Sequence, residues 1–135
     1  MAELHVSILT PAKVVGVFSA EQAQVPGIDG YLGVLPGHTQ LISELGDGEL
    51  LVHTRQGIES YFVSGGYLDV GEGNHVTILV DVAEKPVDIK VDRAKDARQR
   101  ALSRLADESG VDVVRAQAAL RRAEQRLVVA ARLTK

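Results

Sequence analysis

Gly33-Val-Leu-Pro-Gly-His-Thr39 is the stretch of this 135-residue chain that comes nearest to a phosphate-binding loop. Such a loop needs two glycines with four residues between them and a lysine directly after, so that backbone N–H groups cradle the phosphate and an ammonium reaches it. Here the glycines stand one residue too close and His38 occupies the lysine position, which favours turn chemistry over phosphate binding. The four histidines, His5, His38, His53 and His75, have no i,i+3 or i,i+4 metal spacing, leaving open only a site assembled through the fold; strand or loop histidines facing solvent are the favoured reading. Ser64 lacks the glycine two residues upstream that a nucleophile elbow requires. Asp69 and Asp81 read as solvent-facing strand ends, and no carboxylate pair presents itself for acid–base work. With no cysteine there is no thiolate nucleophile, thiolate metal site or disulfide. The chain is expected to be non-catalytic, with no catalytic residue and no metal site.

Charge is the stronger signal. Residues 1–90 carry four Lys/Arg against twelve Asp/Glu, a balance of −8, while residues 91–135 carry eleven against six, a balance of +5. The overall −3 therefore hides an acidic part and a basic part, expected to face different partners. The basic residues include Arg93, Lys95, Arg98, Arg100 and Arg104, then Arg115, Arg121, Arg122, Arg126 and Arg132. A solvated helix face is the plain reading. Nucleic acid is disfavoured, because these segments hold no aromatic residue for stacking and the remainder of the chain is acidic. A negatively charged protein surface or a nucleotide fits better.

The elements that carry these residues divide the chain in two. At 45% hydrophobic residues the composition supports a packed core and argues against wholesale disorder. Up to about residue 85 it reads as short strands: Leu4–Leu9, Glu49–Thr54, Ile58–Val63, Gly66–Val70 and His75–Val80, rich in β-branched and aromatic residues. Gly46–Gly48, Arg55–Gly57, Ser64–Gly66 and Gly71–Asn74 lie between them as expected hairpin turns with glycine at positive φ. Val25–Ile42, with four glycines and two prolines, reads as a turn-rich loop. Together these predict a flattened antiparallel β-sandwich or barrel.

Beyond a linker at 86–90 the pattern becomes helical. One helix is expected from about Val91 to Ala106, with Ala94, Ala97, Ala101 and Leu105 on a stripe. A second runs from about Val111 to Leu133, with Val113, Ala116, Leu120, Ala123, Leu127 and Ala130 at heptad-like spacing. The short Asp107–Gly110 link predicts an antiparallel hairpin, with Ser109 and Asp112 as a capping box. Alanine buries little apolar area, so this seam is weak and the hairpin is expected to open or dock elsewhere at small cost. No apolar run approaches the roughly 20 residues of a membrane span, and the N-terminus lacks the pattern of a signal peptide.

Three stretches of the β part, Val25–Ile42, Ser64–Val70 and Val76–Asp81, with Asp92-Arg93-Ala94 after them, resemble the epsilon-subunit family of bacterial and chloroplast rotary (F-type) ATP synthases, called delta in mitochondria. The resemblance runs in order along nearly the whole chain, and Gly30–His38 is its most specific part. It implies a central-stalk rotor subunit, catalysis residing on other subunits, with 1–85 the sandwich, 86–90 a linker and 91–135 a regulatory hairpin. The implied partners are the gamma shaft, the polar loops of the c-ring and, when the hairpin extends, the alpha/beta catalytic subunits. Nucleic acid is not among them. The membrane is reached only through the complex, on the cytoplasmic face of the bacterial plasma membrane.

By the same resemblance, Asp29, Gly30 and Tyr31 are the candidate c-ring contact, and Val34, Leu35, Pro36, Gly37 and His38 either shape the sandwich or face gamma. Arg115, Arg121, Arg122 and Arg126 are the candidate contacts to the catalytic subunits, through which the hairpin would resist rotation in the hydrolysis direction. No cofactor is required, but some relatives bind regulatory ATP through an [Ile/Leu]-Asp-x-x-Arg-Ala motif. Ile89, Arg93 and Ala94 match it, with Glu84, Arg100, Arg122 and Arg126 at further nucleotide positions. Lys90 replaces the motif's aspartate, and lysine cannot accept a hydrogen bond. The alternative function is thus an ATP-sensing module whose hairpin closes on nucleotide.

Overall fold

The computed structural model describes residues 2–107 and 112–134. Eight strands precede two helices: β1 (Leu4–Leu9), β2 (Val14–Ala20), β3 (Gln22–Gly27), β4 (Gly30–Val34), β5 (Leu41–Leu45), β6 (Gly48–Thr54), β7 (Gly57–Val70), β8 (His75–Glu84), α1 (Val91–Ala106) and α2 (Val113–Ala130). The strands form an N-terminal β-sandwich and the helices a C-terminal two-helix hairpin, the architecture expected from the sequence.

One layer runs β2-β1-β8-β7-β5, and β4, β3, β6 and the first half of β7 make the other. Among the described residues all pairings are antiparallel except one: β1 lies parallel to β8, so the antiparallel expectation needs that correction. Period-2 alternation carries the core. Leu4, Val6 and Ile8 of β1 are fully buried, and meet Val25, Leu50, Val52, Tyr61, Leu68 and Ile78 from both layers. Each such side chain contributes about 1.5–3 kcal/mol of apolar burial.

Several turn assignments change. Ile58–Val63 and Gly66–Val70 are not two strands but parts of the single fourteen-residue β7. Ser64–Gly66 does not reverse the chain. It is the place where β7 passes from its pairing with β6 to its pairing with β5. Gly66, at φ 149°, crosses β8 so closely that a Cβ there would stand 2.0 Å from the Leu79 carbonyl oxygen. Gly46–Gly48 is no hairpin turn either, because β5 and β6 do not pair with each other but each with β7. The stretch read as a loop from Val25 to Ile42 is largely strand, containing most of β3, all of β4 and the start of β5. Only Ile28 and Asp29 form the tip between β3 and β4, with Gly30 at φ 130°.

Helix α1 has the expected bounds. Helix α2 starts at Val113, where the Asp112 carboxylate accepts from the Arg115 N–H at 3.1 Å. It stops at Ala130 rather than Leu133, since the chain tightens into a 3-10 turn over Ala131–Thr134. Ser109 and the other residues of 108–111 lie outside the described residues. The seam is alanine, as expected: Ala94 and Ala101 are buried on α1, Ala116 and Ala123 on α2. Val113, assigned to the stripe, is exposed instead.

Candidate functional site: where the hairpin meets the sandwich

Helix α2 lies on the outward face of β6 and β7. On that face Glu49 stands opposite Phe62 in the antiparallel register, with Ser60 two residues before Phe62. Glu49 is buried although it is a carboxylate, which requires partners. Ser60 Oγ donates to its Oε2 at 2.8 Å. Arg132, in the turn after α2, donates from Nε to Oε2 at 2.8 Å and from Nη2 to Oε1 at 2.9 Å. This is a two-pronged guanidinium–carboxylate contact, the geometry in which charge-assisted hydrogen bonds are strongest. Hydrogen bonding to Glu49, and secondarily its charge, raises the Arg132 guanidinium above its ordinary pKa.

Beside it lies an apolar contact. Phe62, Val129, Ala130 and Ile89 are buried against one another, with Val82 at the margin. The Arg126 guanidinium sits 4.5 Å from the centre of the Phe62 ring, and its Nε donates to Glu84 Oε1 at 2.8 Å. Arg126 therefore holds β8 by charge and β7 by a cation–π contact, the latter contributing about 0.5–1 kcal/mol at a partly exposed site. Farther out, Arg121 Nε is 3.8 Å from Asp47 Oδ2, while Asp47 Oδ1 accepts from Ser64 Oγ at 2.5 Å. The basic hairpin thus meets the acidic sandwich of its own chain through three arginines.

A cavity of about 390 Å³ opens where α1, the linker and the end of β8 converge. Glu84, Asp88, Lys90, Arg93, Ala94, Ala97, Arg100 and Arg126 line it. Of the candidate nucleotide residues, Glu84, Arg93, Ala94, Arg100 and Arg126 come together here. Ile89 is buried in the neighbouring apolar cluster, and Arg122 is not among the lining residues. Lys90 lines the same space as Arg93, Arg100 and Arg126, giving four cations to two carboxylates. Of the residues assigned to the catalytic subunits, Arg121 and Arg126 are ion-paired to the sandwich, and Arg115 is exposed.

At the tip between β3 and β4, Ile28 is 58% exposed and Asp29 and Gly30 accompany it. Tyr31 is half exposed, yet its hydroxyl turns back to accept from the Glu49 N–H at 3.3 Å. The tip is therefore tied to the residue that holds Arg132. Val34 is buried in the sandwich core. Leu35–His38 form a turn in which the His38 N–H donates to the Leu35 carbonyl at 3.0 Å, and the Gly37 N–H donates to Asn74 Oδ1 at 2.8 Å. Leu35 is exposed on it.

Sequence reasoning missed Glu49, Ser60, Phe62, Val129 and Ile28, and named Arg132 only as one of the basic residues of the hairpin. One signal was present. In Ser60-Tyr-Phe-Val63 the inward positions are Tyr61 and Val63, so Phe62 is a large aromatic on the outward parity, which calls for something to cover it.

Comparison with known proteins gives one family. The family described as ATP synthase, Delta/Epsilon chain, beta-sandwich domain matches residues 3–86, and its companion, the long alpha-helix domain, matches residues 88–131. The chain is 46% identical over 132 residues to the ATP synthase epsilon chain of Moorella thermoacetica, covering 96% of this chain and 98% of that one. To the epsilon chain of Halalkalibacterium halodurans it is 39% identical over 134 residues, covering 98% and 100%. Among solved structures, a chain of the Euglena gracilis mitochondrial ATP synthase superimposes with a TM-score of 0.81 at 21% identity, over 93% of this chain and 79% of that one. A chain from the Tetrahymena thermophila mitochondrial ATP synthase central stalk and c-ring gives 0.57 at 14% identity, over 98% and 96%. These two likenesses concern the fold.

Proposed function

The chain belongs to the ATP synthase delta/epsilon family, and from that premise we propose that it links the gamma shaft to the c-ring and brakes ATP hydrolysis with its hairpin. It is a non-catalytic central-stalk subunit, part of a membrane-associated F-type ATP synthase. In the proposed assignment, residues 1–85 bind gamma and the polar loops of a proton-driven c-ring, 86–90 form the hinge, and 91–135 are regulatory. The complex works at the cytoplasmic face of the bacterial plasma membrane. Asp29 and Gly30, with Ile28 beside them, form the c-ring contact. Tyr31 supports that tip through its hydroxyl, and Leu35–His38 face gamma.

The observation that carries the braking role is the docking itself. The hairpin is held on the sandwich by one small apolar cluster and three arginine–carboxylate contacts, while its own seam is alanine. Such a contact is reversible without unfolding either part. Released, the hairpin offers Arg115, Arg121, Arg122 and Arg126 to acidic surfaces of the catalytic subunits. The test is ATP hydrolysis by a complex lacking this subunit, reconstituted with the whole chain or with a chain ending at Lys85. Inhibition by the whole chain alone supports the brake. Equal activity with both, at equal binding to gamma, removes the brake and leaves the coupling role. Failure of both to bind gamma removes the shaft-linking role.

A second reading rests on the cavity. Arg93, Arg100 and Arg126 converge there, and guanidinium groups suit a polyphosphate. Nucleotide at about 100 times its dissociation constant would stabilise the docked form by about 2.7 kcal/mol. Calorimetry with millimolar ATP tests it: saturable heat that is lost on Arg126→Ala supports the reading, and no heat dismisses it.

A further inference from the structure

Two of the four histidines that lack any metal spacing in sequence are brought side by side by the parallel pairing of β1 with β8. His5 and His75 are direct register partners, so both side chains leave the sheet on the same face from adjacent strands. Their ring centroids are 5.1 Å apart and the planes are inclined by 35°. Both residues are exposed, and neither ring has a hydrogen-bond or ion-pair partner among the described residues. His38 differs, its Nδ1 lying 2.6 Å from the Thr39 carbonyl oxygen.

We propose that His5 and His75 form a surface site for one divalent transition-metal ion of the zinc class, bound through one nitrogen of each imidazole and completed by water. Neutral imidazole suits zinc, copper and nickel rather than magnesium or calcium. Zinc–nitrogen bonds are about 2.0–2.1 Å, a span that two rings on neighbouring strands reach by side-chain rotation alone, with no hydrogen bond to break. The backbone is fixed on both sides. Strand β1 is held by β2 and β8, and His75 follows the 3-10 turn Glu72–Asn74, where a Cβ on Gly73 would lie 3.4 Å from the His75 ring. No third His, Cys, Asp or Glu groups with the pair among the described residues, so the remaining positions fall to water. Bound there, the ion clasps β1 to β8 at the one parallel pairing of the sheet.

The experiment uses the full chain and zinc chloride, with magnesium chloride as the control, read by calorimetry and by imidazole NMR with substoichiometric copper as a broadening probe. The expected result is one zinc ion per chain and no magnesium heat. His5 and His75 resonances should broaden together, ahead of His38 and His53. His5→Gln and His75→Gln should each weaken zinc binding by at least about tenfold, since changes that merely orient a ligand already cost that much, and His53→Gln should leave it unchanged. Broadening of all four histidines alike, of one alone, or no zinc heat at millimolar concentration overturns the proposal. The NMR readout is made on the unsubstituted chain, so a poorly folded variant does not obscure it.

Discussion

Replacing Glu49 by Gln tests the docking contact most directly. The change preserves volume and leaves an oxygen for Ser60, but sets an amide N–H₂ against the Arg132 guanidinium where a carboxylate had accepted two hydrogen bonds. The Glu49 side chain is 9% exposed and that of Arg132 38%. A fully buried pair costs about 3–5 kcal/mol to break and an exposed one about 0–1. With the arginine over a third in water, about 1–2 kcal/mol is appropriate, or a five- to thirtyfold rise in the undocked population. The chain has no cysteine, so Lys13→Cys and Glu124→Cys give a unique label pair, one on the sandwich and one on α2. Distance distributions between the labels report docking. The Arg132→Gln variant and the double variant complete a cycle that isolates the pair from whatever else Glu49 touches. If Glu49→Gln shifts docking equally with and without Arg132, the contact is not coupled and the reasoning fails.

Three further outcomes are expected. Phe62→Ala removes the ring on which Val129, Ala130 and Arg126 all rest, and should cost about 3–5 kcal/mol, seen as faster proteolysis of the hairpin than of the sandwich. Gly66→Ala places a methyl against the Leu79 carbonyl at a φ that side chains avoid, and should lower the urea midpoint by the equivalent of about 3 kcal/mol or more, whereas Gly33→Ala, with open space around it, should not. Burial first, and the Glu59 charge second, raise the Tyr61 phenol above its ordinary pKa. The folded state therefore holds that proton more tightly, and the stability it confers is full below the unfolded value of about 10 and is lost as pH rises through the folded one. An alkaline fall in melting temperature that Tyr61→Phe abolishes would bear this out; an unchanged fall in that variant would refute it.

How far the sequence carried depends on how local each cause is. Helix α1 was legible to its last residue because its periodicity and its freedom from glycine and proline lie within it, and the Pro86-containing linker directly precedes it. Strand β1 was legible because Leu4, Val6 and Ile8 alternate cleanly. Strand β2 was not read, since its sequence, with Gly16 in its middle, shows no apolar–polar alternation and only Ala20 is buried. Strands β3 to β5 were hidden by Pro26, Gly27, Gly30 and Gly33, which signal turns, although the pairing of β3 with β4 absorbs all four. Ser64–Gly66 misled for the same reason: glycine marks a close backbone crossing as readily as a reversal. The docking site was the least legible. Glu49 and Arg132 are 83 residues apart, and nothing within either segment names the other.

The charge split also takes on a different meaning. An acidic sandwich and a basic hairpin suggested two external partners, yet in this conformation Arg121, Arg126 and Arg132 find their carboxylates on the same chain. If Arg121 and Arg126 also serve the proposed contact with catalytic subunits, the two uses exclude each other. Release of the hairpin is then an exchange of carboxylate partners rather than the loss of one set, and its net free energy is small because similar contacts stand on both sides. What does not exchange is the apolar part and, beside it, the Arg132–Glu49 contact, since Arg132 is not among the arginines proposed to reach the catalytic subunits. Phe62, Val129 and Ala130 lose their cover when the hairpin leaves, unless another apolar surface receives the helix. Salt should therefore shift the equilibrium only modestly, because it screens both sets of ion pairs. Truncating Phe62 should shift it strongly toward release. A docking equilibrium that follows ionic strength steeply, and ignores Phe62→Ala, would mean that the ion pairs hold the hairpin and that the exchange argument is wrong.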